Sequence, residues 1–364
     1  MRDFSELRRV VIKIGTNLLT KDQEFNIEYV QAISKQIAEL RERGIQVLLV
    51  SSGAIGMGAA ELELKNRVKD IKMRQACAAI GQPLLMHQYK ESFGEYGVSI
   101  AQVLITREVF NNRTTFLNLR NSVETLLALG IVPILNENDS VSTDEIGSAF
   151  GDNDRLSAMV ASKVDADLLI ILTDIDGLYN GDPRKDADAA LLSSVEEITE
   201  EIIGYAGAAG SEFSTGGMKT KLQAVSIAAK AGCKTILAHG GKDDILKRLL
   251  DGEEEGTVFP GGKKLSARSR WILHSEPIGK IIIDEGALAA IRNHKSLLPS
   301  GIVSVEGIFD KGEVVSINGI ANAVSNFTST EIENIIGHHS EEISVILGKG
   351  RKDVIARSED IVFL

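Results

Sequence analysis

The sequence has few cysteines, few aromatic residues and no long apolar run, and each shortage excludes a class of protein. Its 364 residues include 2 cysteines, 1 tryptophan and 6 histidines, and aromatic residues make up 5% of the chain. Cys77 and Cys233 form no C-x-x-C pair, so the sequence predicts neither a disulfide framework nor a structural zinc site. The longest apolar runs have the length of a strand, and we therefore expect no membrane span.

The start of the chain and its net charge narrow the possible functions further. The opening residues, MRDFSELRRVVIKIG, lack the apolar core of a signal peptide, which favours a cytoplasmic protein. The formal net charge of −11 disfavours general nucleic-acid binding, because such binding depends on cations that neutralise phosphates. An anionic ligand must therefore be bound by a few local cations and backbone N–H groups.

The first 240 residues alternate strand-like and helix-like segments. Strands are predicted at 9–14, 45–51, 98–105, 131–135, 167–173 and 234–238, and helices at 27–43, 71–93, 113–129, 154–164 and 218–231. Near-continuous apolar strands are typical of a parallel sheet that helices cover on both faces. We therefore predict an α/β fold, a parallel-sheet αβα sandwich, in which ligands bind at the carboxyl ends of the strands.

A change in composition indicates a second domain. The segment 251–271 is charged and contains Pro260-Gly261-Gly262, which is typical of a connector. Beyond it, short β-rich runs at 280–284, 302–309, 313–317, 323–327 and 353–356 predict a small β-rich barrel or sandwich. We expect a large domain at 1–258, a linker at 259–276 and a small domain at 277–364.

Polar motifs follow the predicted parallel strands. They read KIGTN from Lys13, SSGAIGMG from Ser51, NEND from Asn136, GDND from Gly151 and TDIDGLY from Thr173. Each motif alone has an ordinary explanation as a helix cap or an Asx turn. Lys13 is harder to explain in that way, because a lysine in an apolar strand should be buried beside an anionic partner; a structural salt bridge is the alternative. The convergence of several such strand ends on one edge predicts a polar site for a small molecule.

A glycine-rich turn, STGGMKTK from Ser214, precedes the last predicted helix of the large domain. Its spacing is not that of a P-loop, yet glycine turns and helix N-termini bind phosphate oxygens. Lys13 and either Lys219 or Lys221 can flank a transferred phosphoryl group, and Asp154 can hold both ammonium groups or cap its helix. These motifs contain no histidine or cysteine, so the acceptor is expected to be its own nucleophile.

Together these motifs resemble the amino-acid kinase superfamily, and specifically the glutamate 5-kinase family, over nearly the whole chain. The later segments DEGALAAI, SLLPSGI, GEVVSI and IGHHS resemble the C-terminal PUA domain of the bacterial long form. Two positions depart from the family pattern: Ser214 stands where glycine is usual, and Asn17 where serine is frequent. Both changes lie beside backbone donors, and we expect them to affect affinity more than the type of reaction.

The resemblance implies ATP-dependent phosphorylation of the γ-carboxylate of L-glutamate, the first step of proline biosynthesis. It implies that Lys13 and Lys221 stabilise the transferring phosphoryl group, that Asp154 organises them, and that Mg²⁺ arrives with ATP. The implied glutamate-binding residues are Ser52, Gly53, Ala54, Asn136, Asp139 and Asn153. The implied ATP-binding residues are Lys13, Gly15, Thr173, Asp174, Thr215, Gly216, Gly217, Met218, Lys219, Thr220 and Lys221. As a loop residue, Lys221 is expected to be exposed and to matter little for stability.

The family also implies partners: proline as a feedback inhibitor, other copies of the chain in a homo-oligomer, and a glutamyl-phosphate reductase that receives the product. Aspartate, N-acetylglutamate and uridylate kinases of the same superfamily are the nearest alternatives, but they usually carry a different signature after the first strand. RNA binding is a second alternative, because PUA domains often bind RNA. Residues 277–364 contain 8 Lys+Arg and 12 Asp+Glu, a net charge of 8 − 12 = −4, which disfavours it.

Overall fold

The computed structural model describes residues 2–21, 24–64, 66, 68–106, 108–141, 153–183, 185–186, 188–208, 217–348 and 353–364. The chain divides into two compact units. Met1–Val109 and Thr114–Lys264 form the larger unit, and Phe110–Arg113 and Leu265–Leu364 form the smaller one. Each unit contains its own sheet and its own hydrophobic core.

The larger unit is built on a seven-stranded sheet. Its strands are β1 (Arg9–Ile14), β4 (Gln46–Ser51), β5 (Ile100–Ile105), β6 (Val132–Glu137), β7 (Leu168–Thr173), β8 (Lys234–His239) and β9 (Thr257–Phe259). A separate hairpin contains β2 (Thr20–Lys21) and β3 (Glu24–Phe25). The sheet order is β5-β6-β4-β1-β7-β8-β9, and only the pairing of β8 with β9 is antiparallel. All six predicted parallel strands are confirmed, whereas β9 has too few residues to show a pattern.

Helices between residues 27 and 250 account for the amphipathic segments of the sequence, and two of them include residues of the short stretch Phe110–Arg113 that belongs to the smaller unit. They are α1 (Ile27–Glu42), α2 (Ala54–Glu61), α3 (Ile71–Gly94), α4 (Glu108–Asn111), α5 (Arg113–Ala128), α6 (Asn153–Lys163), α7 (Glu200–Ala208), α8 (Met218–Ala229) and α9 (Ile245–Leu250). The five predicted helices are confirmed as α1, α3, α5, α6 and α8. The short helices α2, α4, α7 and α9 were not predicted. Among the described residues, no helix is long and apolar enough to cross a membrane.

Burial of the central strands follows from their apolar sequence. Every residue of β6 and β7 is buried, and so are the last five residues of β1 and β4. A strand that is buried on both faces needs apolar side chains at successive positions, which is the pattern read from the sequence. The predicted α/β fold is confirmed, and its carboxyl strand ends border a common edge.

Helices α2 and α3 cross at very close range beside the carboxyl end of β4. A Cβ atom on Gly81 would lie 1.9 Å from the carbonyl oxygen of Ala54 and 2.4 Å from the backbone nitrogen of Gly58. Only glycine therefore permits this approach of the two backbones. The crossing places α3 behind the residues that follow β4, and it sets the position of two polar side chains described below.

In residues 265–348 and 353–364, the described part of the smaller unit after the larger one, there are a five-stranded sheet and four helices. The strands are β10 (Gly279–Ile283), β11 (Ile302–Glu306), β12 (Val314–Ile317), β13 (Ala321–Val324) and β14 (Ile361–Phe363), in the order β11-β10-β12-β13-β14. The helices are α10 (Ala267–His274), α11 (Glu285–Arg292), α12 (Ser329–Glu333) and α13 (Ile343–Ile346). The β-rich character of this domain is confirmed. The last edge strand is β14 and not the predicted run at 353–356, which forms only a bridge between Ala356 and Leu297.

Helix α10 lies within 259–276, the segment predicted to be a linker. The side chain of Ser266 accepts a hydrogen bond from the backbone nitrogen of Ser269 and caps the helix. Trp271 and Ile272 are buried against Val314 and Val324. The charged residues around these apolar ones concealed the helix, because they broke the hydrophobic periodicity of the sequence.

Candidate active site

Neighbouring strands bring the predicted site residues to one edge of the sheet. Lys13 lies in the central strand β1, where it pairs with Val50 of β4 on one side and Ile171 of β7 on the other. Asn136 lies near the end of β6, and Thr173 ends β7. The parallel order β6-β4-β1-β7 therefore collects polar residues that are far apart in the sequence.

Three charged side chains, Lys13, Asp154 and Lys221, form what we call the charged centre. The ammonium nitrogen of Lys13 lies 2.7 Å from Oδ1 of Asp154, and that of Lys221 lies 3.0 Å from Oδ2. The side chains of Lys13 and Asp154 are 1% and 0% exposed, respectively. The predicted burial of Lys13 beside an anionic partner is confirmed.

The charge of Asp154 is maintained by its two lysine neighbours. Burial alone would raise the pKa of this carboxyl, but the ammonium groups of Lys13 and Lys221 lower it to about 2. Asp154 is therefore ionised at neutral pH. Two cations against one anion leave the charged centre with a net charge of +1, which attracts an anionic ligand such as a phosphoryl group.

Helix geometry separates the two candidate lysines of the glycine-rich turn. Helix α8 begins at Met218 after Gly217, so Lys219 and Lys221 both lie in its first turns. Two residues apart on a helix, they lie on different faces: Lys219 is exposed and Lys221 is buried. The structure therefore brings Lys221 to Asp154. The expectation that Lys221 is an exposed loop residue was wrong, because the loop ends before it.

Neutral side chains form a second cluster beside the charged centre, which we call the amide network: Ser52, Gln82, Asn136 and Asn153. The amide nitrogen of Asn153 donates to the carbonyl oxygen of Ser51 at 2.8 Å, to Oγ of Ser52 at 3.0 Å and to Oδ1 of Asn136 at 2.9 Å. Nδ2 of Asn136 donates to Oε1 of Gln82 at 2.8 Å. Since Asn153 directly precedes Asp154 in α6, the two clusters adjoin each other.

Two residues of α3 support this cluster and were missed in the sequence. Gln82 belongs to the amide network, and the hydroxyl of the fully buried Tyr89 lies 2.8 Å from Oγ of Ser51. They are seven residues apart, so both project from the same face of α3. The available signal was a glutamine and a tyrosine on the buried face of a helix. A search confined to strand ends passes over such residues.

A cavity of about 300 Å³ opens beside the amide network. Ala54, Gln82, Gln102 and Asp139 are among the residues that line it. Ala54 is the first residue of α2, directly after Gly53, whose φ of +105° favours glycine. Burial raises the pKa of Asp139, and the positive charge of Arg74 opposes this shift. Two of the residues predicted to bind glutamate, Ala54 and Asp139, thus border one cavity.

On the other side of β1 lie the residues predicted to bind the nucleotide. Thr173 donates to Oδ1 of Asp174 at 3.1 Å, and Nδ2 of Asn17 donates to Oδ2 at 2.7 Å. Burial would raise the pKa of Asp174, but these contacts, chiefly that from Asn17, lower it, and so does the charge of Lys221. The backbone nitrogen of Gly15 donates to the carbonyl oxygen of Leu172 at 3.0 Å and ties the turn after β1 to β7.

Further residues predicted to bind the nucleotide lie at the start of α8. Gly217 is the N-cap residue, Met218 is buried, and the hydroxyl of Thr220 lies 3.5 Å from Oδ2 of Asp154. Thr215 and Gly216 lie outside the described residues, as does Ser214. Within the described parts of the chain, no group of three histidine, cysteine, aspartate or glutamate side chains could hold a metal ion.

Comparisons with known proteins show which families the chain matches. Residues 8–239 match the Amino acid kinase family, and residues 279–347 match the PUA domain. The glutamate 5-kinase of Methanosarcina mazei is 43% identical over 99% of this chain and 97% of its own length. The glutamate 5-kinase of Geobacter sulfurreducens is 46% identical over 99% of both chains. The glutamate 5-kinase of Methanosarcina barkeri is 44% identical over 98% of this chain and 97% of its own length.

Proposed function

The chain belongs to the glutamate 5-kinase family of amino acid kinases, and we propose that it transfers the γ-phosphoryl group of ATP to the γ-carboxylate of L-glutamate. The observation that carries this proposal is the charged centre, in which two buried ammonium groups share one carboxylate directly beside the amide network. The product is L-glutamyl 5-phosphate, and the reaction is the first step of proline biosynthesis.

The reaction requires no general base from the protein. The glutamate carboxylate is ionised at neutral pH, because its ordinary pKa is about 4.3. One of its oxygens forms a bond to the γ-phosphorus while the bond from that phosphorus to the bridging oxygen of ADP breaks. Lys13 and Lys221 are positioned to stabilise the charge on the transferring group. Asp154 holds both ammonium groups in place and needs no contact with substrate.

ATP is proposed to bind along the turns after β1 and β7 and at the start of α8. The proposed contacts are Lys13, Gly15, Thr173, Asp174, Thr215, Gly216, Gly217, Met218, Lys219, Thr220 and Lys221. Backbone N–H groups at the first turn of a helix bind phosphate oxygens, and α8 presents such a turn beside Lys221. Mg²⁺ is proposed to enter with ATP and to be held chiefly by phosphate oxygens and water, as is usual for this ion.

Glutamate is proposed to bind on the opposite side of Lys13, against the amide network and the cavity beside it. The proposed contacts are Ser52, Gly53, Ala54, Asn136, Asp139 and Asn153. Their neutral amides and hydroxyls can accept from the ammonium group of glutamate and donate to its carboxylates, while the carboxylate of Asp139 adds a negative charge at the cavity.

The direct test is ADP release by the purified protein with Mg-ATP and one acceptor at a time: L-glutamate, L-aspartate, N-acetyl-L-glutamate or UMP. Hydroxylamine traps an acyl phosphate as a hydroxamate, so this product separates acyl transfer from ATP hydrolysis. We expect turnover and hydroxamate with L-glutamate. Turnover with one of the other acceptors and none with glutamate would reject the proposed substrate and assign the alternative one.

Proline is proposed to inhibit the enzyme by occupying the glutamate site, since both ligands carry an α-carboxylate and an α-nitrogen. Proline should then raise the KM for glutamate and leave the turnover number unchanged. Inhibition that persists at saturating glutamate would reject an overlapping site.

We further propose a cytoplasmic homo-oligomer that passes its product to a glutamyl-phosphate reductase. Sedimentation of the purified chain tests its self-association.

The C-terminal domain is proposed to take no part in binding nucleic acid, because residues 277–364 carry the net charge of −4 calculated above. Salt-dependent binding of RNA at physiological ionic strength would contradict this.

We propose 1–258 as the kinase domain, 259–276 as the linker and 277–364 as the PUA domain. Limited proteolysis that releases a stable fragment with an end inside 259–276 would support this division.

A further inference from the structure

Gln82 is a buried amide that projects into the cavity beside the proposed glutamate site. Its side chain is 8% exposed and lines the cavity of about 300 Å³ together with Ala54 and Asp139. It lies in the middle of α3 and is distant in the sequence from every strand end. No motif of the sequence drew attention to it.

The direction of the Gln82 carboxamide is determined by its neighbours. The backbone nitrogen of Glu137 donates to one side-chain atom of Asn136 at 2.9 Å, and a backbone N–H can only donate, so that atom is the amide oxygen. The other atom of Asn136 is therefore the nitrogen, which donates to Gln82 at 2.8 Å. The atom of Gln82 that accepts this bond must be its oxygen.

An independent contact supports the same assignment. Asn153 faces the carbonyl oxygen of Ser51 at 2.8 Å, and a carbonyl can only accept, so the contacting atom of Asn153 is its nitrogen. That same nitrogen faces Asn136 at 2.9 Å, which again requires the oxygen of Asn136 at this point. The contacts with Glu137 and with Asn153 thus give the same orientation for the Asn136 amide.

The oxygen of Gln82 is therefore used within the network, and its amide nitrogen carries two donors for another partner. Gln82 lines the cavity, so a ligand there that carries acceptor oxygens can accept hydrogen bonds from these two donors. The network runs from Asp154 through the adjacent Asn153 and Asn136 to Gln82. Gln82 consequently lies at the end that is farther from the phosphoryl-transfer point.

We propose that Nε2 of Gln82 donates hydrogen bonds to the α-carboxylate of glutamate, the carboxylate that is not phosphorylated. Gln82 is then an acceptor-binding residue that distinguishes amino acids with a free α-carboxylate from their α-amides. This inference rests on the proposed glutamate site, and its own test uses only ratios measured against the active wild-type enzyme.

The variant Gln82→Glu isolates the proposed donor. A glutamate side chain has nearly the same shape and keeps an oxygen for Asn136, but it replaces the amide nitrogen by a second acceptor. We expect the KM for L-glutamate to rise about 10-fold or more, which is the scale of a lost hydrogen bond to a charged group. The KM for ATP should stay close to the wild-type value, whereas the thermal midpoint should fall, because the new carboxylate is buried.

Gln88→Glu is the matched control, because Gln88 lies on the same helix α3 and is half-buried but does not line the cavity. It makes the same chemical change and adds the same negative charge to the same helix. We expect its KM for glutamate to stay within about threefold of wild type, since a partly exposed charge outside the cavity is screened. Equal effects of the two substitutions would overturn the proposal and leave general repulsion as the cause.

A change of substrate provides a readout that a purely structural role would not give. L-isoglutamine keeps the γ-carboxylate of glutamate but carries an α-amide, which can donate to the new carboxylate of Gln82→Glu. The ratio of kcat/KM for isoglutamine to that for glutamate should therefore rise at least 10-fold in this variant. An unchanged ratio would overturn the proposal. A wild-type enzyme that does not phosphorylate glutamate would instead reject the proposed function.

Discussion

Full charges hold the charged centre together, whereas the amide network contains only neutral groups. In the charged centre, a single carboxylate fixes two lysines through ion pairs of 2.7 and 3.0 Å. In the amide network, orientation is set by hydrogen bonds that run in one direction from Asn153 to Asn136 and on to Gln82. Charge acts over a distance and suits a moving phosphoryl group, while directed hydrogen bonds suit recognition of one acceptor.

Removing one cation of the charged centre should have the largest effect of these substitutions, and this effect should be a decrease in kcat. In Lys221→Met, the pair of Lys13 with Asp154 remains, but one of the two charges that face the phosphoryl group is lost. We expect kcat to fall about 10²- to 10³-fold, the usual loss for one transition-state donor. Steady-state kinetics measure this, and near-normal turnover would remove Lys221 from the mechanism.

The same substitution should also lower the thermal midpoint, because Lys221 is buried and its loss leaves Asp154 with one ion pair in place of two. Lys35→Met is the matched control, since its side chain is 57% exposed and its partner Glu39 lies 4.0 Å away. This control should leave both turnover and thermal midpoint nearly unchanged.

Forcing α2 and α3 apart should weaken the binding of glutamate more than the binding of ATP. In Gly81→Ala, the added Cβ atom would lie 1.9 Å from the carbonyl oxygen of Ala54, so the helices must separate. We expect the free energy of unfolding to fall by about 1–3 kcal/mol, and the KM for glutamate to rise more than the KM for ATP. Urea unfolding and kinetics at varied substrate concentrations test both effects.

Gly94→Ala provides the control for this experiment. Gly94 ends the same helix, and an added Cβ atom there would have no neighbour within 4 Å. Its stability should equal or exceed that of the wild type, because alanine favours a helix more than glycine does. Equal destabilisation by the two substitutions would contradict the role of the close helix crossing.

Acid should separate the charged centre from the amide network, because the charged centre contains the carboxylate of Asp154 and the amide network contains no acidic group. The folded-state pKa of Asp154 is about 2, below its value of about 3.9 in an unfolded chain. Its ionisation therefore stabilises the fold fully above about pH 4, and this stabilisation is lost as the pH falls through 2. We expect the stability difference between wild type and Asp154→Asn to shrink by about 2 kcal/mol between pH 5 and pH 2. Urea unfolding measures it, and a constant difference would contradict the ion pairs.

The smallest effect is expected at the edge of the nucleotide side. Asn17 donates to Asp174 at 2.7 Å, and Asn17→Ser restores the residue that is frequent in the family but shortens the side chain. Because Asn17 is exposed, the loss should be modest, about a threefold rise in the KM for ATP. The KM for glutamate should not change. A rise in the KM for glutamate without a rise in the KM for ATP would contradict the proposed position of Asn17 on the nucleotide side.

The fold and the charged centre were more accessible to sequence reasoning than the amide network. Apolar runs predicted the parallel strands, and a lysine inside such a run had to be buried with an anion, which the structure shows for Lys13. Spacing alone left the choice between Lys219 and Lys221 open; the family resemblance implied Lys221, and the start of α8 supplies the physical reason. Gln82 was missed because its partner, Asn136, lies 54 positions away and belongs to another element.

The pairing of β1 has a consequence for the synthesis of the chain. Val10 pairs with Val47 of β4 on one side and with Leu168 of β7 on the other, so the first strand to be made must wait for a partner that comes much later. Contacts between such distant segments slow folding. Lys221 is made only after more than half of the polypeptide, so a nascent chain on the ribosome carries an open strand edge and an incomplete charged centre. Catalysis therefore begins only when the α/β unit closes around its central strand.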